Sequence, residues 1–235
     1  MPKQKKRISR PNKLVVFDCV DKEKAENWSD DRPLISFPRP FRAVLTGPPG
    51  VGKSSVVKSI LINQPTFFEQ GWVFHPDPSV CEGGEYTDSG LMPLDEIPPA
   101  EWFYAQNPAK DHCLFVFDDV DLSSLSKDQH SRLDRLLCNA STHCNISVIC
   151  VAQNFYSLPT VVRRTSNVFV LWKPVSSELD LKSISKRVGL NGKTLKTLFD
   201  THCPSSFDSV WIDLTPNSPC KVRINAVKAL KEIEN

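Results

Sequence analysis

The chain has 235 residues, a formal net charge of +2 and 40% hydrophobic residues, which is room for one α/β domain with short appendages. Its apolar runs, such as residues 146–152, fall short of the roughly 20 residues a membrane span needs, and no apolar segment follows the charged N-terminus as a secretory leader requires, so a soluble protein without a membrane partner is expected. Global charge does not announce nucleic acid, and the 8 cysteines form no CxxC pair and are expected as reduced core thiols.

Residues 1–13 carry Lys3, Lys5, Lys6, Arg7, Arg10 and Lys13 with no acidic residue. The run reads as a solvated tail, a nuclear-import signal or an arm that touches nucleic acid. Residues 1–35 are expected as a charged N-terminal arm. Pro38 and Pro40 separate it from the first strand, residues 41–46, with Ala43, Val44 and Leu45 at its centre. The pattern turns helical at Gly52, with Val56, Val57, Ile60 and Leu61 at helix spacing until Pro65. Residues 72–74 read as a second short strand. Residues 76–110 are rich in Pro, Gly and acidic groups and are expected as a long functional or mobile loop, partly anchored by Trp102 and Phe103.

Residues 113–117 form an apolar third strand ending in Asp118 and Asp119. A helix over 128–140 points Leu133, Leu136 and Leu137 inward, and strands follow at 146–152 and 167–171. Continuous apolar strands alternating with helices predict a mainly parallel sheet covered on both faces. The rest is less strongly patterned, with short helices at 178–187 and 192–199 and a hairpin pairing 210–214 with 221–224. The expected organisation is an arm (1–35), an α/β core (36–175) and C-terminal helices and hairpin packed on the core (176–235).

Gly47, Pro48, Pro49, Gly50, Val51, Gly52, Lys53 and Ser54 match G-x-x-x-x-G-K-[ST] in full, between a strand and a helix. Glycines let backbone N–H groups close around phosphates, and the helix N-terminus adds unsatisfied donors. With Ser55 these residues form the expected ATP site. Lys53 supplies a point charge to the β and γ phosphates, and the Ser54 hydroxyl is offered to Mg²⁺. Asp118, at the end of a buried strand, is placed to hold Mg²⁺, and Asp119 to orient and deprotonate the attacking water. A carboxylate beside the metal-holding Asp favours hydrolysis over phosphate transfer to a bound acceptor. Gln153, at the tip of another strand, is a candidate γ-phosphate sensor. Arg163, Arg164, Arg132 and Arg135 are candidates to complete a neighbouring subunit's site.

The blocks GPPGVGKS, LFVFDD and NISVICVAQNFYSLPTVVRRTSNVFVLWK together resemble the FtsK–HerA superfamily of P-loop motors. Within it, they resemble most the poxvirus-type genome-packaging ATPases of large DNA viruses, virophages and Polinton-like elements. The resemblance covers roughly residues 40–175. Its specific part is the third block, with Gln153, Phe155, Pro159, Arg163 and Lys173 at the family's spacing. It implies a RecA-like core in which the acidic-pair strand and the Gln strand flank the phosphate strand. It implies a hexameric or pentameric ring with ATP at subunit boundaries, and translocation of double-stranded DNA into a capsid through a capsid or portal-like partner. It also implies Asp119 as base, Gln153 as sensor and Arg163 as a trans-acting arginine, in a host nucleus, at a virus assembly site or in the virion. One departure is Thr142, where relatives often carry arginine. The alternatives are a small-molecule P-loop kinase and a nucleotide-dependent switch or scaffold.

Overall fold

Alternation along the central strands sorts their side chains into two apolar layers. The computed structural model describes residues 37–63, 68–75, 86, 89–173, 178–216, 218 and 220–230; the basic arm lies outside them. Strands β1 (Arg42–Thr46), β2 (Gln70–Phe74), β3 (Met92–Leu94), β4 (Cys113–Phe117), β5 (Ile146–Ala152) and β6 (Val168–Trp172) are parallel, and β7 (Ser209–Asp213), β8 (Val222–Ile224) and β9 (Lys228–Leu230) continue the same sheet antiparallel. The nine strands run in the order β3-β2-β4-β5-β1-β6-β7-β8-β9.

On one face Val44, Phe115, Phe117, Val148 and Cys150 join a core with Phe103, Leu133, Leu137, Val162, Leu195 and Phe199. These last come from α2 (Ala100–Gln106), α3 (Lys127–Arg135), the π-helical turn Leu136–Ala140 that continues α3, α4 (Thr160–Thr165) and α6 (Gly192–His202). Ile184 and Val188 of α5 (Glu178–Val188) close the same layer. On the other face Ala43, Leu45, Leu114, Val116, Ile149 and Val151 pack with Val57 and Ile60 of α1 (Lys53–Asn63), and with Phe37, Tyr86 and Leu91. The result is the expected three-layer αβα architecture, with one helical layer much thicker than the other. Every residue of β4, β5 and β6 is buried, as a parallel sheet clad on both faces requires.

Three expectations need correction. The acidic strand β4 does not touch the phosphate strand. β5 lies between them, pairing with β1 on one side and β4 on the other, while β6 takes the other flank of β1. The stretch 76–110 is not loop throughout, because β3 and α2 fall within it. Apolar residues there are too sparse to show a period, and these short elements gain their stability from packing: Trp102 and Phe103 sit edge-on to Trp72 at 5.3 and 5.9 Å. Finally, α3 begins at Lys127, where the Ser126 side chain accepts from the Gln129 N–H at 3.2 Å, and its helical path runs on to His143.

The hairpin predicted near the C-terminus is present, pairing Val210 with Ile224 and Ile212 with Val222. Its turn is tied by a buried ion pair, Arg223 to Asp213 at 2.7 Å. The Asp213 carboxylate also accepts from the Thr215 N–H at 2.9 Å and the Ser218 hydroxyl at 2.9 Å, so the carboxylate is well compensated, while Nη1 of Arg223 is buried without a hydrogen-bond partner among the described residues. Cys113, Cys144, Cys150 and Cys203 are buried free thiols. Among the described residues no helix is long and apolar enough to cross a membrane.

Candidate active site

The chain leaves β1, crosses to the far edge of the sheet, works back to β5 and then passes over β1 to β6. At that reversal the connections on either side of β1 diverge. This leaves a crevice at the C-terminal strand ends, where ligands of open α/β sheets bind. The tips of β1, β2, β4 and β5 supply the site.

Between β1 and α1 the chain turns at positive φ at Gly50 (76°) and Gly52 (90°), conformations that a side chain disfavours. Gly47 is a glycine for a different reason. A Cβ there would lie 2.6 Å from Trp172 Cβ of β6, so the bulky end of β6 dictates the first loop residue. The Lys53 ammonium donates to the carbonyls of Gly47 at 2.8 Å and Pro48 at 2.7 Å. It thereby draws the loop around the N-terminal turn of α1. Burial lowers the Lys53 pKa, and the charges of Asp119 and Asp118 oppose that shift.

Asp118 directly follows β4, and its N–H donates to the Phe74 carbonyl at 3.2 Å and so aligns the tips of β4 and β2. The Ser54 hydroxyl lies 3.3 Å from Asp118 Oδ2. A hydroxyl and a carboxylate from distant segments thus meet beside the phosphate loop. This all-oxygen donor pair is of the kind Mg²⁺ takes. The Tyr86 hydroxyl donates to the same Oδ2.

Asp119 adopts a left-handed backbone conformation, φ 51°, which aspartate tolerates better than most residues. Its Oδ1 lies 3.3 Å from Gln153 Nε2, and the Gln153 carbonyl is 3.5 Å from the Thr46 hydroxyl. The predicted base and sensor therefore touch directly, with the sensor strand tied to β1. A cleft of about 440 Å³ is lined by Gly50, Lys53, Ser54, Ser55, His75, Asp118, Asp119 and Gln153. A second, of about 370 Å³, shares Asp119 and Gln153 and continues over Asp121 and Asn154.

The Asp118 carboxyl is pushed upward by burial. The Tyr86 hydroxyl, His75 and the Ser54 hydroxyl pull it back, and Asp119 adds to the rise. Its folded value therefore exceeds the unfolded value of about 3.9, and stability falls as pH rises from one to the other. Asp118→Asn removes that cost. The variant is expected to melt above the parent at pH 7, with the gap closing as pH falls from the folded value towards about 3.9. Thermal melts of both proteins across pH test this, and a variant that melts lower at pH 7 refutes it.

No protein-family model and no curated protein sequence matches the chain. Solved structures do. B204, the DNA-packaging ATPase from Sulfolobus turreted icosahedral virus, superposes with a TM-score of 0.55 at 16% identity, over 82% of this chain and 97% of that one. The genome-packaging NTPase B204 from Sulfolobus turreted icosahedral virus 2 gives a TM-score of 0.56 at 15% identity in complex with sulfate, over 82% and 98% of the two chains. In complex with AMPPCP the same NTPase gives 0.52 at 15% identity, over 79% and 96%. The chain has the B204 fold.

Within this B204-like fold Gly50, Lys53, Ser54, Ser55, Asp118, Asp119 and Gln153 line one cleft, together with Pro49 and Gly52. Arg163 does not line it. Its guanidinium donates to the Leu158 carbonyl at 2.9 Å and lies over the Tyr156 ring at 5.5 Å. Arg132 is paired with Asp128 and Glu96, at 2.8 and 3.1 Å, and Arg135 lies 3.8 Å from Glu101. Thr142, the departure from the family pattern, lies 3.3 Å from Arg42.

Two site residues escaped the sequence reading. His75 directly follows β2, and a polar residue at the end of a parallel strand was a usable signal. Tyr86 lies in a Gly-rich acidic stretch that has no period and offers no such signal.

Proposed function

We propose that the chain is an ATPase of the FtsK–HerA superfamily that hydrolyses Mg-ATP to translocate double-stranded DNA into a viral capsid. The observation that carries the hydrolase part is the convergence of Lys53, Ser54, Asp118, Asp119 and Gln153 on one cleft, with Ser54 and Asp118 3.3 Å apart. The loop amides and Lys53 bind the phosphates. Ser54 and Asp118 hold Mg²⁺, which neutralises charge on the phosphate oxygens when bound. Asp119, held against Gln153, takes the proton of the attacking water. A carboxylate and an amide in contact at the γ-phosphate end of the cleft suit water as acceptor better than a kinase acceptor pocket.

The motor part is supported by the B204 fold and by the third sequence block. The partners proposed are duplex DNA, contacted through its phosphates, a capsid or portal-like protein, and identical subunits in a hexameric or pentameric ring. Arg163 acts across the subunit boundary in this proposal. The place of action is a host nucleus or virus assembly site, with the particle itself a further station. The proposed chain organisation remains arm, ATPase core and C-terminal extension. The test is ATP turnover with and without linear duplex DNA, beside a size-exclusion measurement of the oligomer. Turnover raised several-fold by DNA, with loss of that stimulation at high salt, supports the motor. Turnover indifferent to DNA refutes it, and transfer of phosphate to a nucleoside would revive the kinase alternative.

A further inference from the structure

One oxygen of Asp118 accepts two hydroxyls, and they come from unlike environments. Ser54 opens α1 at the phosphate loop. Tyr86 is fully buried, packed in the apolar layer that contains Leu91, Leu114 and Val116. Its carbonyl accepts from the Ser89 and Leu91 N–H groups at 3.0 and 3.1 Å, which fixes the tyrosine backbone at the approach to β3. A phenylalanine would fill the same apolar space without burying a hydroxyl, and a buried hydroxyl costs free energy unless it is hydrogen-bonded. The hydroxyl finds that bond on Asp118.

We propose that Tyr86 is a positioning residue for the metal site, its hydroxyl fixing the orientation of the Asp118 carboxylate toward Ser54. The inference rests on the ATPase reading given above. An ionised carboxylate offers about four lone-pair positions, so two hydroxyl donors leave room for a cation while stopping rotation of the group. Groups that hydrogen-bond a metal-binding carboxylate typically alter metal affinity by about 10- to 100-fold when removed. Tyr86 is fully buried, so water cannot readily take the place of its hydroxyl.

The test is binding of a fluorescent ATP analogue to the full chain, first in EDTA and then across a Mg²⁺ titration. Tyr86→Phe is expected to bind as the parent does in EDTA, and to need about tenfold more Mg²⁺ for half of the Mg²⁺-dependent tightening. Leu91→Ala, a packing control beside Tyr86, is expected to lower the melting temperature without moving that midpoint. A Tyr86→Phe midpoint equal to or below the parent's overturns the inference, as does an equal shift in the Leu91→Ala control. If Tyr86→Phe fails to melt cooperatively, 3-fluorotyrosine in place of Tyr86 keeps the ring and changes the donor strength, and an unmoved midpoint then overturns it. Failure of the ATPase reading looks different: the parent itself would show no Mg²⁺-dependent binding.

Discussion

Lys53→Ala is expected to reduce ATP turnover by about a thousandfold. An ammonium about 4 Å from a phosphate charge contributes roughly 4 kcal/mol at an effective dielectric near 20, and about 1.4 kcal/mol corresponds to a factor of ten in rate. The same side chain bonds the Gly47 and Pro48 carbonyls, so its loss also loosens the loop that must present its amides to the phosphates. Circular dichroism and the melting temperature should stay near the parent's, since the helix core at Val57 and Ile60 is untouched. The variant is also half of a test for Arg163. Lys53→Ala subunits and Arg163→Ala subunits, each inactive alone, should regain turnover when mixed if Arg163 serves the neighbouring cleft. Turnover by Lys53→Ala above about a tenth of the parent's would remove the phosphate-loop assignment, and mixtures that stay inactive would remove the trans role.

Asp119→Asn is expected to lower turnover by about 10²- to 10⁴-fold, the usual contribution of a positioned general base, while Mg-ATP binding is kept. The substitution is a clean one. Asparagine accepts the left-handed backbone that Asp119 adopts, and its amide can still meet Gln153. Ser54 and Asp118 keep their contact, so the metal site is left standing. Single-turnover hydrolysis measured beside nucleotide binding separates the outcomes. Normal turnover would take the base role from Asp119, and lost binding would mean that the residue shapes the cleft rather than the chemistry.

Most of this site could be read from the sequence because its parts sit at element boundaries that hydrophobic patterning marks well. A buried strand running into glycines located Lys53 and Ser54; a second one ending in two carboxylates located Asp118 and Asp119. Gln153 was found in the same way. Strand order was harder, since five or seven apolar residues look alike wherever they stand in a parallel sheet, and so β5 was not foreseen between β1 and β4. β3, α2 and β9 are three to seven residues long, too short for a period to emerge. Tyr86 reaches Asp118 from 32 residues away, through a fold contact that leaves no local trace. The reason for Gly47, the crowding by Trp172, was likewise invisible beside the motif that names the glycine.

The placement of β5 limits how a hydrolytic event can be felt elsewhere in the molecule. That strand is stitched to β1 and to β4 along five residues on each side, and a slip of even one residue would turn its inward side chains to the wrong face. The phosphate loop and the acidic pair therefore ride on one stiff plate and cannot shear past each other. In the ring motor proposed above, a stroke would begin in the tips beyond Thr46, Phe117 and Ala152 and leave through whatever leans on those tips, at the plate's rim and not through its interior.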